Sequence, residues 1–369
     1  MNSASIPGRK ATPHRVALGR HPPYVPGPMT AARTLRSPAD LAEAGIVAPG
    51  RVAELEAVAA RYAVAITPAM AELVPDNDAL AAQFVPTPAE LVQTPDERDD
   101  PIGDDAHSPA PGIVHRYPDR VLLKANHACA VYCRFCFRRE TVGPQGVRPL
   151  SPGQLDAAMA YIADRPEIWE VIVTGGDPLI LSSRRLKDLM TRLAAIAHVK
   201  VVRFHTRVPA VAPEMVTPGL VAALRAPGKT TWVALHANHA DELTPAAEAA
   251  IARIQDAGIP MVSQTVLLKG VNDDAATLEA LMRRFVELRI KPYYLHHADL
   301  APGTGHFRTT IAEGQALMRE LRGKVSGLCQ PTYVLDIPGG HGKAPVGPCY
   351  VEGGDVTDPN GGIHAYPPA

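Results

Sequence analysis

The segment Arg120-Val-Leu-Leu-Lys-Ala-Asn-His-Ala-Cys129-Ala-Val-Tyr-Cys133-Arg-Phe-Cys136-Phe-Arg-Arg139 decides the fold. Its first part, Val121 to Lys124, is a short apolar run of the kind that forms a buried strand. Three cysteines follow at once, separated by three and by two residues. In β/α folds, the loops after the strands carry the functional groups. The segment therefore predicts a parallel β/α fold with a cysteine loop at the carboxyl edge of the sheet.

Short β-branched runs alternate with helical stretches through the following two hundred residues, which is typical of β/α units around a parallel sheet. The predicted strands are Val121–Lys124, Glu170–Thr174, Val199–His205, Thr231–His236, Met261–Leu267 and Pro292–His296. The predicted helices lie near residues 152–164, 183–196, 218–226, 245–257, 275–289 and 310–324. Six units result. A last strand, Thr332–Ile337, leads into a glycine-rich stretch that ends at Lys343.

The first 110 residues differ from the β/α region in composition and in apolar periodicity. Residues 1 to about 28, and Thr94 to Pro111, are rich in proline and polar residues and are predicted to be irregular or mobile. Between them, Ser37-Pro38 opens a helix, and Val52–Ala63 and Pro68–Leu73 repeat apolar residues at helical spacing. We therefore expect an N-terminal extension over residues 1–110, partly helical, a β/α domain over 111–325 and a C-terminal segment over 326–369.

Composition narrows the class of protein. The 369 residues carry a formal charge of -1, so no global basic field draws the chain to nucleic acid or to anionic lipid, and a small-molecule substrate is the expected partner. No apolar run is long enough to span a membrane or to form the core of a signal peptide, which predicts a cytoplasmic protein. Five cysteines, three of them clustered, favour reduced thiols on a metal over a disulfide framework.

The cysteine trio has the spacing of a ligand set for an open four-iron cluster. Three thiolates bind three irons of a cubane, whereas electron-transfer cubanes usually add a fourth cysteine. The remaining iron can chelate the amino and carboxylate groups of S-adenosylmethionine (SAM), which is then cleaved to a 5'-deoxyadenosyl radical. The alternative is a structural zinc site with His127 as fourth ligand, in an iron-sulfur or zinc protein that binds without catalysis.

Polar or special groups stand where the predicted strands end. They are the cysteine loop, Gly175-Gly176-Asp177, His205-Thr206-Arg207, His236, Gln264 and His296-His297. Because the carboxyl ends of parallel strands meet at one edge of a barrel, we expect these groups to share one active face.

Motifs over about two thirds of the chain resemble the lysine 2,3-aminomutase family, whose members are radical SAM enzymes that use pyridoxal 5'-phosphate (PLP). The matching stretches, in the family's order, are His115–Leu123, the cysteine trio with Arg138-Arg139, Gly175–Asp177, Gln264–Asp273, His306–Arg308 and the segment that ends at Lys343. The resemblance implies a partial (β/α)6 barrel of the TIM type, in agreement with the six units counted above. It implies three cofactors: a [4Fe-4S] cluster, SAM and PLP.

The resemblance also implies a role for each matching residue. Lys343 would form the Schiff base with PLP, and Arg116 and Arg120 would lie near its phosphate. Cys129, Cys133 and Cys136 would bind the cluster. Gly175, Gly176 and Asp177, with His236 and Gln264, would meet SAM. Arg138 would pair with the substrate carboxylate, while Asp299 and Asp336 would clasp the side-chain ammonium.

The implied activity is that of an isomerase, an intramolecular aminotransferase that interconverts L-lysine and β-lysine by 1,2-amino migration once the 5'-deoxyadenosyl radical has taken a hydrogen atom from the substrate. Two carboxylates in a closed barrel repel each other unless a cation lies between them, so Asp299 and Asp336 favour a cationic substrate. Ornithine and arginine remain alternatives to lysine, because sequence does not reveal pocket depth.

This chain also departs from the longer family members. It has Asp274 where they carry a cysteine, and it ends 26 residues after Lys343, so the structural zinc of those enzymes is not expected. Cys329 and Cys349 are then core or surface thiols, and His341 stands where the family loop usually has glycine. The shortness resembles the branch that makes β-lysine for elongation factor P, which is a second reading. An electron donor such as flavodoxin or ferredoxin and a homo-oligomer are the expected partners.

Overall fold

The computed structural model describes residues 33–142 and 150–368; the prediction for residues 1 to about 28 lies outside them. Within these ranges, nine strands form one sheet in sequential order. Its strands are β1 (Ile113–Tyr117), β2 (Arg120–Asn126), β3 (Glu170–Gly175), β4 (Val201–Thr206), β5 (Thr230–His236), β6 (Met261–Leu267), β7 (Ile290–His297), β8 (Thr332–Asp336) and β9 (Lys343–Pro345). Strands β2 to β8 are parallel, and β1 and β9 close the two edges as antiparallel partners.

Helices connect the parallel strands and cover the sheet. After the N-terminal helices α1 (Pro38–Glu43), α2 (Val52–Ala59), α3 (Pro68–Ala71) and α4 (Asp78–Phe84), the connecting helices are α5 (Pro152–Ala163), α6 (Ser183–Ala194), α7 (Val208–Val211), α8 (Pro218–Ala223), α9 (Pro245–Asp256), α10 (Ala275–Glu287) and α11 (Ile311–Leu321). Serine, threonine or aspartate side chains cap the first turns of α5, α6, α9, α10 and α11 and so satisfy backbone N–H groups that would otherwise lack a partner. No helix in the described ranges could cross a bilayer.

The six β/α units and the last strand predicted from the sequence are confirmed, most to within two residues at each end. Among the described residues, the sequence missed β1, β9, α4, α7 and a small C-terminal sheet. That sheet consists of β10 (Val351–Glu352), β11 (Asp355–Thr357) and β12 (Ile363–Ala365). β1 has no strand-like pattern because Arg116 and Tyr117 line the cavity and His115 contacts Tyr161 on α5, so its second half carries polar side chains and no apolar alternation.

The N-terminal helices pack on the barrel and share its core. Leu41, Leu55, Met70 and Phe84 are fully buried in the same apolar cluster as the strand residues. The extension therefore buries its apolar faces against the β/α region, and the hydrophobic effect holds the two together.

A buried ion cluster joins this extension to the cysteine loop. Glu90 accepts hydrogen bonds from Arg134 Nε at 2.9 Å and from Arg139, and all three side chains are fully buried. Arg134 lies between Cys133 and Cys136, so this ion cluster anchors the cysteine loop to the N-terminal extension.

The stretch Thr94 to Pro111 is irregular as predicted, apart from a short 3-10 turn at Asp105–His107. It is not a detached loop, however, because Ile102, Gly103 and Asp104 are buried. His107 Nε2 lies 3.1 Å from the carbonyl oxygen of Gly340 in the glycine-rich loop. The stretch is therefore irregular, as expected, but its middle residues are packed against the rest of the fold.

We predict that Glu90→Gln lowers the free energy of unfolding by about 3 to 5 kcal/mol, because two buried guanidinium groups lose their counter-charge. Urea unfolding of the purified protein measures this change. Glu43→Gln serves as the control, since Glu43 is exposed on α1 and the same chemical change is made at the surface. Equal stability of the two variants would contradict the role given to the ion cluster.

Candidate active site

A cavity of about 380 Å³ opens at the carboxyl ends of the parallel strands. All fourteen residues to which the sequence assigned a role line it: Arg116, Arg120, Cys129, Cys133, Cys136, Arg138, Gly175, Gly176, Asp177, His236, Gln264, Asp299, Asp336 and Lys343. Most of the strand-end groups thus share one cavity, as expected, but His297 does not line it, and the individual roles stay predictions.

The cysteine loop follows β2 and lines one side of the cavity. Its three thiols are free of disulfides, and Arg207 Nη1 lies 2.9 Å from Cys133 Sγ. Burial raises the pKa of Cys129 and of Cys136, so the positive charge of bound iron is what would hold these sulfurs as thiolates. Three thiols beside an arginine are a donor set that fits an iron-sulfur cluster.

The end of β3 approaches the cysteine loop very closely. A side chain on Gly176 would collide with the backbone of Ala128, so only glycine permits this contact. The carboxylate of Asp177 is used within the protein, because it accepts hydrogen bonds from Thr206 Oγ1 at 2.7 Å and from the backbone N–H of Arg207 at 2.6 Å. What this segment presents to the cavity is therefore backbone and not the Asp177 carboxylate.

His236 and Gln264 are register partners on β5 and β6, opposite the cysteine loop. His236 Nε2 lies 3.1 Å from Asn238 Oδ1, and its ring centroid is 5.6 Å from that of Phe135 in the cysteine loop. These two side chains and Gly175-Gly176 at the end of β3 thus border the same part of the cavity as the cysteines. This arrangement fits a site for SAM.

Lys343 begins β9, at the end of the glycine-rich loop. Its backbone N–H donates to Tyr117 Oη at 2.8 Å, and its ammonium donates to the Asp336 carboxylate. Arg120 stacks on Tyr117, with its guanidinium carbon 3.9 Å from the ring centroid. His341, the departure from the family loop, has an exposed side chain.

Two of the three arginines assigned to ligands, Arg116 and Arg138, form a line of alternating charges with two aspartates and Lys343. Arg138 Nη2 lies 2.8 Å from Asp104, Arg116 Nη2 lies 3.2 Å from the same carboxylate, and Arg116 Nη1 lies 3.6 Å from Asp336. Asp336 then pairs with Lys343. Because the Nε of Arg116 is buried with no hydrogen-bond partner among the described residues, this guanidinium retains a donor for an anion such as a phosphate.

The two aspartates expected to bind the substrate ammonium have opposite pKa shifts. Burial, and then the charge of Asp336, raises the pKa of Asp299 to about 7. Burial acts in the same direction on Asp336, but the nearby His296 and the charge of Lys343 outweigh it and hold the pKa of Asp336 well below its usual range. Without a second cation between them, the pair thus holds less than two full negative charges at neutral pH.

Three residues of the site received no role from the sequence. Asp104, in the stretch that was expected to be irregular or mobile, pairs with Arg116 and Arg138, which line the cavity. His205 and His296 were expected on the active face only as strand-end groups, and both line the cavity. His205 Nε2 is buried with no hydrogen-bond partner in the described ranges, and His296 Nδ1 lies 3.7 Å from Asp336. The strand-end position was a usable signal for both histidines, but no local pattern marked Asp104.

Comparisons with known proteins agree with this geometry. The model of the radical SAM superfamily matches residues 124–281. An L-lysine 2,3-aminomutase from Acetoanaerobium sticklandii is 42% identical over 291 residues, which is 78% of this chain and 70% of that protein. A glutamate 2,3-aminomutase from Clostridioides difficile is 34% identical over 300 residues, or 80% of this chain and 70% of that protein.

Among solved structures, a radical SAM methyltransferase from Sphaerobacter thermophilus aligns with a TM-score of 0.44 and 20% identity, over 60% of this chain and 68% of that one. The family assignment rests on the sequence relatives, because an identity of 42% over most of both chains is far above that likeness. The resemblance read from the motifs is confirmed: the chain belongs to the lysine 2,3-aminomutase family of radical SAM enzymes.

Proposed function

We propose that the protein is a 2,3-aminomutase that interconverts L-lysine and β-lysine. The observation that carries this proposal is the pair Asp299 and Asp336 in the cavity, with the ammonium of a lysine residue, Lys343, already on Asp336. The cavity thus has a carboxylate partner for an alkylammonium group. The relative named L-lysine 2,3-aminomutase supports the same substrate.

Family membership implies a [4Fe-4S] cluster, SAM and PLP as cofactors. When bound, they supply a 5'-deoxyadenosyl radical and a conjugated imine that lets nitrogen move between neighbouring carbons. Cys129, Cys133 and Cys136 would hold the cluster, and Lys343 would hold PLP. Gly175, Gly176, Asp177, His236 and Gln264 would hold SAM, with Arg116 and Arg120 at the PLP phosphate.

The protein's own side chains orient the substrate. Arg138 offers a guanidinium to the substrate carboxylate, and Asp299 and Asp336 receive its side-chain ammonium. The ammonium of Lys343 pairs with Asp336. With its amine holding PLP, Lys343 would leave the Asp336 carboxylate available to the ammonium of the substrate. Apolar side chains that line part of the cavity, among them Phe135 and Val266, exclude some of the water from the substrate.

Glutamate is the competing substrate, since the 34% identical relative carries that name. A glutamate side chain would bring a third carboxylate next to Asp299 and Asp336, and like charges in an enclosed site repel strongly. The two aspartates therefore favour a cationic substrate. Ornithine, arginine and a lysine held in elongation factor P are the remaining outcomes of the tests below.

The setting of the enzyme is part of the same proposal. We expect it to act in the cytoplasm, where thiols stay reduced, to receive electrons from a flavodoxin or ferredoxin, and to form a homo-oligomer.

We expect Lys343→Ala to abolish the visible absorbance band that purified protein shows with PLP, because the imine needs the lysine amine. Absorbance spectra after reconstitution with PLP measure this, and iron content checks that the cluster is still bound. Lys324→Ala is the control, since Lys324 is an exposed lysine paired with Glu320. A wild-type protein that binds no PLP would refute the proposed function.

Asp299→Asn should reduce kcat/KM for lysine by about a hundredfold or more, because one of two charged partners of the ammonium is lost. The assay is anaerobic incubation with lysine, ornithine, arginine or glutamate, with the β-amino acid detected by mass spectrometry. Asp256→Asn, an exposed aspartate paired with Arg289, should behave as the wild type. If the wild type converts glutamate and leaves lysine unchanged, the assigned substrate is wrong.

The raised pKa of Asp299 predicts how kcat/KM for lysine depends on pH. Below about 7 the carboxyl becomes protonated and neutral, so it attracts the ammonium less, and kcat/KM should fall as the pH drops from about 8 to about 6. Initial rates with low lysine concentrations across this range provide the measurement. A profile that stays flat to the acidic limit would show that Asp299 is already ionised there.

A further inference from the structure

We propose that Asp104 is the positioning residue for substrate recognition: it holds Arg138 in the orientation that binds the substrate carboxylate. This inference rests on the proposed function, because it concerns how the same cavity recognises an α-amino acid. Asp104 is 5% exposed and comes from the segment before β1, far in sequence from the cysteine loop that carries Arg138.

The contacts between Asp104 and Arg138 leave half of the guanidinium available. Arg138 donates to the same oxygen of Asp104 from Nε at 3.0 Å and from Nη2 at 2.8 Å. A guanidinium has a second edge, formed by its two terminal nitrogens, which suits a carboxylate in a paired geometry. Because Arg138 also lines the cavity and lies over the Phe137 ring at 4.4 Å, Asp104 fixes its plane and leaves the second edge for a ligand.

Asp104 also keeps neighbouring cations together. Its other carboxylate oxygen lies 3.2 Å from Arg116 Nη2, and Lys124 on β2 interacts with it through its charge. Without this carboxylate, Arg138, Arg116 and Lys124 would face one another with no counter-charge in a poorly solvated place. The guanidinium of Arg138 would then turn away from its neighbours and out of its binding orientation.

The segment that carries Asp104 is anchored to the loop of Lys343. Gly103 has φ +69° and packs so closely on the backbone of Gly340 that a side chain there would collide with it. Together with the contact between His107 Nε2 and the Gly340 carbonyl oxygen, this fixes Asp104 relative to Lys343. The residue that positions Arg138 for the substrate carboxylate and the residue that would hold PLP are thereby kept at a constant separation.

A different role for Asp104 would be competition, with its carboxylate occupying Arg138 until the substrate displaces it. The two roles predict opposite effects of neutralising Asp104. Removal of a competitor tightens substrate binding, whereas removal of a positioning group weakens it. The shared use of Asp104 by two arginines favours positioning, because displacing it would leave Arg116 without that partner as well.

The test compares Asp104→Asn, Asp104→Glu and Asp105→Asn in enzyme reconstituted with cluster, SAM and PLP. Asp105 is the exposed neighbour on the same turn, so its substitution makes the same charge change outside the cavity. The measurements are kcat and KM for lysine and the inhibition constant of 1,5-diaminopentane. That compound has both amines of lysine but no carboxylate, so it reports the rest of the site.

For Asp104→Asn we expect a rise in the KM for lysine of about tenfold to a hundredfold, the range of one charge-assisted hydrogen bond. The value of kcat should change by less than about threefold, since uniform binding is lost. The inhibition constant of 1,5-diaminopentane should stay at the wild-type value, and Asp104→Glu should recover part of the loss. Asp105→Asn should match the wild type in all measurements.

A lower KM in Asp104→Asn would show competition and overturn the proposal. A parallel rise in the inhibition constant of 1,5-diaminopentane would also overturn it, since the loss would then be a general structural one. Melting temperatures of the variants identify a folding defect. Failure of the proposed function is seen separately, in the wild type, as an absence of lysine turnover.

Discussion

Buried charges at the mouth of the barrel have to be neutralised by charges of opposite sign. This constraint determines how the charged residues of the site are paired. Water screens Asp104, Arg116 and Asp336 poorly because all three side chains are largely buried, and each lies against a partner from another part of the chain, which for Asp336 is Lys343. The partners come from the N-terminal extension, from β1, from β8 and from β9. The electrostatics of the cavity therefore tie together segments that the barrel alone would leave independent.

The parallel sheet supplies the frame for this arrangement. Strands β2 to β8 end at one rim, and their end residues include the cysteine loop, the glycine turn after β3, His236 and Gln264. The antiparallel edge strands contribute a different set of residues to the cavity. Strand β1 presents Arg116 and Tyr117 to the cavity, and β9 presents Lys343 beside them. The residues proposed for the iron-sulfur cluster and for SAM therefore follow or end parallel strands. Of the residues proposed for PLP, Arg116 and Lys343 lie on the two edge strands, and Arg120 begins β2.

Sequence reasoning recovered most of the frame because apolar periodicity is a local signal. Strand β6 was placed at Met261–Leu267 to the residue, and all six helices of the units were found. It recovered the residues lining the cavity because the motif resemblance covered them. It missed β1, where the outward pattern is polar. It did not predict that Ile102 and Asp104 are buried, because proline and aspartate in residues 94–111 resemble an irregular linker. The pairing of Asp104 with Arg138 depends on a contact across 34 residues that no local pattern encodes.

The packing of Gly103 on Gly340 limits which chimeras between relatives can fold correctly. Two loops more than two hundred residues apart in sequence touch backbone to backbone, so neither can change its path without the other. A chimera that takes its C-terminal segment from a relative has to take residues 100–108 from the same source. In this family we expect the two stretches to change together during evolution, although the whole barrel lies between them in the sequence.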